Sequence, residues 1–327
     1  MPGLFDQLKI GPLRLKNRIV MPPMATNRAT TQGEVTEALI KHYTQRARGP
    51  GLIIVEHSYV AMDGRLRQRQ LGIYDDELVP GLTRLTKAVH QHGTPIAIQL
   101  NHAGGRTTSD VCGAQPVAPS PIMLSTERSR ELTLDEIDSL VEAFGQAARR
   151  AIEAGFDAVE VHGAHGFLLN QFLSPLANER DDPYGGVLEK RARFPVRVVK
   201  RVREVVGGSY PLFYRLGADD MTPGGLTLED GKAAARMLVG AGVDVVDVSG
   251  GFSGSRPPGL RGQGYLVPLA EGIKEVVDVP VVGVGGITRA EYADRVVREG
   301  RVDLVAVGRA LLADPGWAVK AAQTLRR

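Results

Sequence analysis

His162 and His165 stand three residues apart in the run His162-Gly163-Ala164-His165-Gly166-Phe167, immediately after an apolar stretch. Two imidazoles so placed can both donate hydrogen bonds to one substrate oxygen and steady negative charge that develops on it. The same pair could be structural. It could also bind a metal, but that needs further ligands, and the ends of the other apolar runs supply no histidine-carboxylate set. A second group is Gly283-Val284-Gly285-Gly286 together with Gly308-Arg309. Glycine amides can approach an oxyanion closely, and a guanidinium offers a fork suited to phosphate. Glycines alone could merely make turns; with Arg309 beside them, phosphate binding is the stronger reading. Their spacing does not fit the G-x-G-x-x-G of a dinucleotide site. Arg215 closes another apolar run and would be an uncompensated charge if buried alone. A flavin or another anion would explain it, as would a salt bridge to Asp219 or Asp220.

These residues need elements to place them. Eight short apolar runs recur along the chain: Arg18-Pro22, Leu52-His57, Pro95-Leu100, Ala158-His162, Leu212-Leu216, Val243-Val248, Val281-Val284 and Leu304-Val307. Most are rich in Val, Ile or Leu, as strands buried on both faces are. Amphipathic stretches lie between them. From Asp135 to Ile152, for example, Ile137, Leu140, Val141, Phe144, Ala147, Ala148 and Ala151 make one stripe of a 3.6-residue repeat. Capping boxes are expected at Thr133 with Glu136, Thr227 with Asp230 and Thr288 with Glu291. Eight strand-helix units predict an α/β fold, a TIM (β/α)₈ barrel, in which the reacting groups gather where strands end. An open doubly wound sheet would need the same alternation, but eight units in one chain favour closure. Leu4-Leu15 is expected to form a hairpin plugging the barrel bottom. Residues 103–131, rich in Gly, Pro, Ser and Thr, follow the third strand and read as a lid.

The chain of 327 residues fits one such domain, 1–327, with 43% hydrophobic and 24% charged residues. A net charge of +3 and the absence of a basic block with interleaved aromatics argue against a nucleic-acid surface. A single cysteine, Cys112, leaves no internal disulfide. With no signal-peptide pattern at Met1-Asp6 and no apolar run of about 18 residues to span a membrane, the expectation is a cytoplasmic enzyme.

Five blocks resemble the old yellow enzyme family. They are Leu15-Met24, Gln99-Gly104, His162-Pro175, Asn178-Gly186 and Val307-Leu312, which follow the family's order along nearly the whole chain. The resemblance implies non-covalent FMN, with NADH or NADPH as electron donor. It implies that Pro23, Met24 and Ala25 line the flavin near N5, that Gln99 bonds its pyrimidine end, and that Arg215 sits near N1. Gly285, Gly286, Gly308 and Arg309 would hold the phosphate. The implied activity passes hydride through flavin N5 to the β-carbon of an α,β-unsaturated carbonyl compound or enoyl thioester, while His162 and His165 polarise the carbonyl. A homo-oligomer is expected on the same analogy.

Three departures from the pattern follow. The usual proton donor is a tyrosine two residues after the second anchoring position, and Phe167 stands there instead. Tyr59 and Tyr265 are candidates to replace it. Ala25 stands where many relatives carry Cys or Thr, so it offers the flavin no side-chain hydrogen bond. The first-strand motif is most similar to the enoate and dienoyl-CoA reductase branch, yet this chain ends soon after Leu312-Pro315 and is expected to lack that branch's iron-sulfur segment and FAD domain. Other readings are a flavin dehydrogenase or isomerase, an FMN module passing electrons to a protein partner, and a barrel for a phosphorylated metabolite without flavin.

Overall fold

The computed structural model describes residues 2–326. Its centre is a closed barrel of eight parallel strands: β1 (Ile19–Met21), β2 (Leu52–Tyr59), β3 (Ile96–Asn101), β4 (Ala158–Gly163), β5 (Leu212–Gly217), β6 (Val245–Ser249), β7 (Val281–Gly283) and β8 (Leu304–Ala306). They pair in chain order, and β8 closes on β1 through Val305 opposite Ile19. All eight apolar runs become strands, with ends shifted by two residues or fewer. Every residue of these strands is buried, because helices cover the outside and side chains fill the inside.

One end of the barrel is apolar and sealed. Val20, Leu52, Ile54, Ala97, Ala158, Phe213, Val245 and Leu304 form one cluster with Ile10, Leu13 and Leu15. The last three belong to a hairpin whose strands Leu8–Ile10 and Leu13–Leu15 pair antiparallel, so the expected plug is present. The opposite, C-terminal end is where buried polar side chains collect.

Helices flank the barrel where the 3.6-residue repeat places them. The capping boxes at Thr133/Glu136 and Thr227/Asp230 both form, opening helices Leu134–Glu153 and Leu228–Gly240. The third does not. Helix Ala290–Arg298 is capped by Arg289 without a side-chain bond, because Gln263 takes Thr288 instead: its amide nitrogen donates to Thr288 Oγ1 at 2.6 Å. That tie fastens the loop after β6 to the loop after β7.

Residues 103–131 do lie at the C-terminal end of β3, but they are pinned. Gln171 donates to the carbonyls of Ala103 and Gly166 at 3.1 and 2.7 Å and accepts from Gly105 N–H at 3.1 Å. Arg180 donates to the carbonyls of Pro119 and Leu132 at 3.0 and 2.8 Å. The segment is therefore a wall held by residues of the His162-Pro175 and Asn178-Gly186 blocks.

Candidate active site

A cavity of about 590 Å³ opens at the C-terminal end of the barrel. It runs from Arg215 past Pro22 and Met24 to Gly285, Gly286, Gly308 and Arg309, so β1, β5, β7 and β8 all contribute. Gly285 and Gly286 have φ of +124° and +63°. A Cβ on Gly286 would come within 2.5 Å of the Gly262 carbonyl. Only glycine therefore leaves this end of the cavity open beneath the loop after β6. Arg309 is exposed to the cavity and donates from Nη2 to the Tyr265 hydroxyl at 2.9 Å. Arg256 and Arg261, which carry no spacing signal along the chain, add two cations to the lining. Just past β1 the lining residues are Pro22 and Met24, whereas Pro23 is buried and Ala25 exposed.

Strand register builds the deep end. Across β4, β5 and β6, His162 stands opposite Arg215 and Arg215 opposite Asp247; across β3 and β4, Gln99 stands opposite Glu160. Arg215 approaches Asp247 at 3.6 Å. It reaches neither of the nearer carboxylates expected as partners: Asp220 accepts from Leu226 and Phe252 N–H, and Asp219 from Met221 N–H. Gln99 donates to Glu160 at 2.8 Å. Burial and the Asp247 carboxylate push Glu160 well above the usual carboxylate range; burial raises Asp247 as well, and the Arg215 charge beside it opposes that rise.

The two histidines meet as the spacing suggests. Their rings lie 5.0 Å apart and perpendicular at 89°. His165 takes the left-handed conformation, φ +60°, next to Gly166 at +68°, and its N–H is held by the Gly250 carbonyl at 3.2 Å. Backbone strain of this kind turns a side chain abruptly out of a strand end. Burial holds both imidazoles well below their usual pKa, so both are neutral. His162 Nδ1 accepts from Ala164 N–H at 3.3 Å, which leaves the ring proton on Nε2. His165 Nε2 pairs with Ser249 Oγ at 2.7 Å. If the serine donates, the His165 proton sits on Nδ1 and is free for a ligand. Among the described residues no group of three or more His, Cys, Asp or Glu is arranged to hold a metal.

The two tyrosine candidates lie elsewhere. Tyr59 is fully buried, stacks on Tyr74 at 5.0 Å and donates to the Gln32 carbonyl at 3.2 Å. Burial raises its pKa further. Tyr265 sits at the glycine end, its hydroxyl donating to Ser255 O at 2.8 Å. Neither tyrosine hydroxyl is brought to the histidine pair. Phe167 is: its ring lies 4.9 Å from His162, with the Arg106 guanidinium 5.9 Å from its centroid. His57, Glu160 and Asp247 complete this region and were not picked out from the sequence, since each is a single polar residue inside a strand with no spacing signal.

The residues fit the FMN that the resemblance implies. Arg215 Nε is buried without a hydrogen-bond partner at one end of the cavity, and the glycine cradle with Arg309 lies at the other. The cavity volume is also in the range of small-molecule and cofactor sites, about 300–1,000 Å³. No described helix is long and apolar enough to cross a membrane.

Comparison with known proteins agrees. The model of the NADH:flavin oxidoreductase / NADH oxidase family matches residues 3–327. The chain is 44% identical to an NADPH dehydrogenase of Geobacillus sp. (strain WCH70), over 98% of this chain and 94% of that protein. It is 48% identical to an NADH oxidase of Thermoanaerobacter brockii, again over 98% of this chain, but spans only 50% of that protein's length. Among solved structures, a 2-naphthoyl-CoA reductase complex superposes with a TM-score of 0.94 at 29% identity, covering 98% of this chain and 52% of the other. An old yellow enzyme homologue from Zymomonas mobilis does so with a TM-score of 0.87 at 31% identity, covering 99% and 93%. The chain belongs to the NADH:flavin oxidoreductase / NADH oxidase family, and is an FMN- and NAD(P)H-using barrel oxidoreductase of the old yellow enzyme type.

Proposed function

We propose that this oxidoreductase reduces the activated C=C bond of an α,β-unsaturated carbonyl compound or enoyl thioester. Bound FMN supplies the hydride relay between NADH or NADPH and the substrate. The protein's part is to orient and to stabilise. His162 through Nε2, and His165 through Nδ1 with Ser249 donating to its Nε2, would take the carbonyl oxygen between them. They would hold the negative charge that moves onto it as the β-carbon gains hydride. Arg215, level with His162 on the adjacent strand, would favour anionic charge at the pyrimidine end of the cofactor. Pro22 and Met24 would face the flavin from the segment after β1, and Gly285, Gly286, Gly308 and Arg309 would hold its phosphate.

The observation that carries this reading is the perpendicular pair of neutral imidazoles beside Arg215. A thioester substrate is supported by the 2-naphthoyl-CoA bound in the structural neighbour and by Arg256 and Arg261 on the cavity wall, which suit an anionic substrate tail. The missing hydroxyl at Phe167 favours one other reading, a flavin dehydrogenase or isomerase. Product analysis decides between them. With NADPH and 2-cyclohexenone, saturated cyclohexanone should form in wild type and be lost in His162→Ala. No saturated product from any enone or enoyl thioester would favour the dehydrogenase.

A further inference from the structure

A third imidazole stands beside Phe167. His57 lies in an irregularity of β2, where pairing with β3 shifts between Val55 and Ser58 and both Glu56 and His57 fall opposite Gln99. Such bulges re-aim side chains near active sites. The His57 ring lies 5.4 Å from Phe167, tilted by 35°, and 6.4 Å from His162.

Gln70 fixes the ring's protonation. Its Oε1 accepts Leu66 N–H at 2.7 Å, which makes its amide nitrogen the donor. That nitrogen donates to His57 Nδ1 at 2.8 Å and to the His57 carbonyl at 2.9 Å. Asn101 Nδ2 approaches the same Nδ1 at 3.4 Å. A ring nitrogen that accepts from amide N–H groups carries no proton, so the one proton of neutral His57 is on Nε2. Burial, together with Arg67 and Arg215, lowers the ring's pKa to about 4 and keeps it neutral. Nε2 has no partner among the described residues and is not sealed from solvent.

We propose that His57 is the catalytic acid that replaces the hydroxyl missing at Phe167. The inference rests on the ene-reductase reading above. Hydride adds to the substrate β-carbon, and the C=C electron pair moves to the carbonyl oxygen held by His162 and His165. When that pair returns, a C–H bond forms at the α-carbon as the His57 Nε2–H bond breaks. The ring is left anionic, with amide N–H groups from Gln70 and Asn101 at Nδ1, and takes its proton back from solvent water at Nε2. Gln70 is a positioning residue that keeps the proton on the nitrogen facing the site.

The test uses anaerobic holoenzyme reduced with NADPH and mixed with 2-cyclohexenone, followed by flavin absorbance. His57→Ala should slow reoxidation by about 10²-fold. FMN affinity, read by fluorescence, and the rate of reduction by NADPH should stay within about twofold of wild type. Adding Phe167→Tyr to His57→Ala should recover most of the loss. In ¹⁵N-histidine-labelled enzyme, His57 should show a protonated Nε2 and bare Nδ1 from pH 6 to 8 (about neutral), and Gln70→Leu should mix the two tautomers. Reoxidation of His57→Ala within about twofold of wild type would overturn the proposal, as would slowing that Phe167→Tyr fails to recover. Wild type that reduces but is reoxidised by no enone would bring down the ene-reductase reading first, and this inference with it.

Discussion

Arg215 finds its carboxylate across the barrel wall, at Asp247 on the neighbouring strand, and not at Asp219 or Asp220 along its own chain. At 3.6 Å the pair neutralises charge without a hydrogen bond, and Arg215 keeps a donor for something else. Removing the Asp247 charge should strengthen the cation at the cofactor. Asp247→Asn is expected to raise the flavin midpoint potential by about 30 mV or more, the two-electron equivalent of ~1.4 kcal/mol. A spectroelectrochemical titration showing an unchanged or lower potential would contradict this placement.

The glycine end gives a binding prediction. Gly286→Val must meet the Gly262 carbonyl and adopt a left-handed backbone, and Arg309→Ala removes the forked cation. Each should weaken FMN at least about tenfold, or ~1.4 kcal/mol. Titrating apoprotein with FMN and following fluorescence quenching measures it; full-strength binding in both variants would move the phosphate elsewhere.

His162→Ala and His165→Ala should each lower kcat/KM for enones by about 10²–10³-fold, the usual effect of losing one donor at a developing oxyanion. FMN content and reduction by NAD(P)H should hardly change. Equal losses in both half-reactions would point to a structural role.

Glu56 links the loop after β1 to pH. It is buried, accepts Thr26 N–H at 3.1 Å, and burial raises its pKa to about 7. The folded state thus binds a proton that the unfolded chain releases near pH 4.5. Relative to that acid form, stability falls as pH rises toward about 7, by up to about 3 kcal/mol once the folded group ionises. Glu56→Gln removes this loss, so thermal melts should show the variant gaining on wild type between pH 5 and 8 (about this window). Parallel melting curves across that range would refute the shifted carboxyl.

Much of this was legible in the chain. Eight Val/Ile/Leu runs become strands because burial on both faces demands that composition, and the cradle at Gly285, Gly286 and Arg309 was visible as a cluster. The rest depends on register and on distant competitors. Thr288 reads as a cap until Gln263, from another loop, takes its hydroxyl. Tyr59 closes a strand, but the register shift in β2 brings His57, and not Tyr59, beside Phe167. Glu160 and Asp247 look like isolated acids until the barrel closes and sets them around Arg215.

The most direct test of the central claim is an anaerobic half-reaction. The holoenzyme is reduced with NADPH or NADH, a panel of enones and enoyl thioesters is added, and the flavin absorbance is followed. Prompt reoxidation with formation of the saturated product is the expected result. A flavin that is reduced readily and then stays reduced with every acceptor would contradict the assignment of His162 and His165 as the anchor for an unsaturated carbonyl.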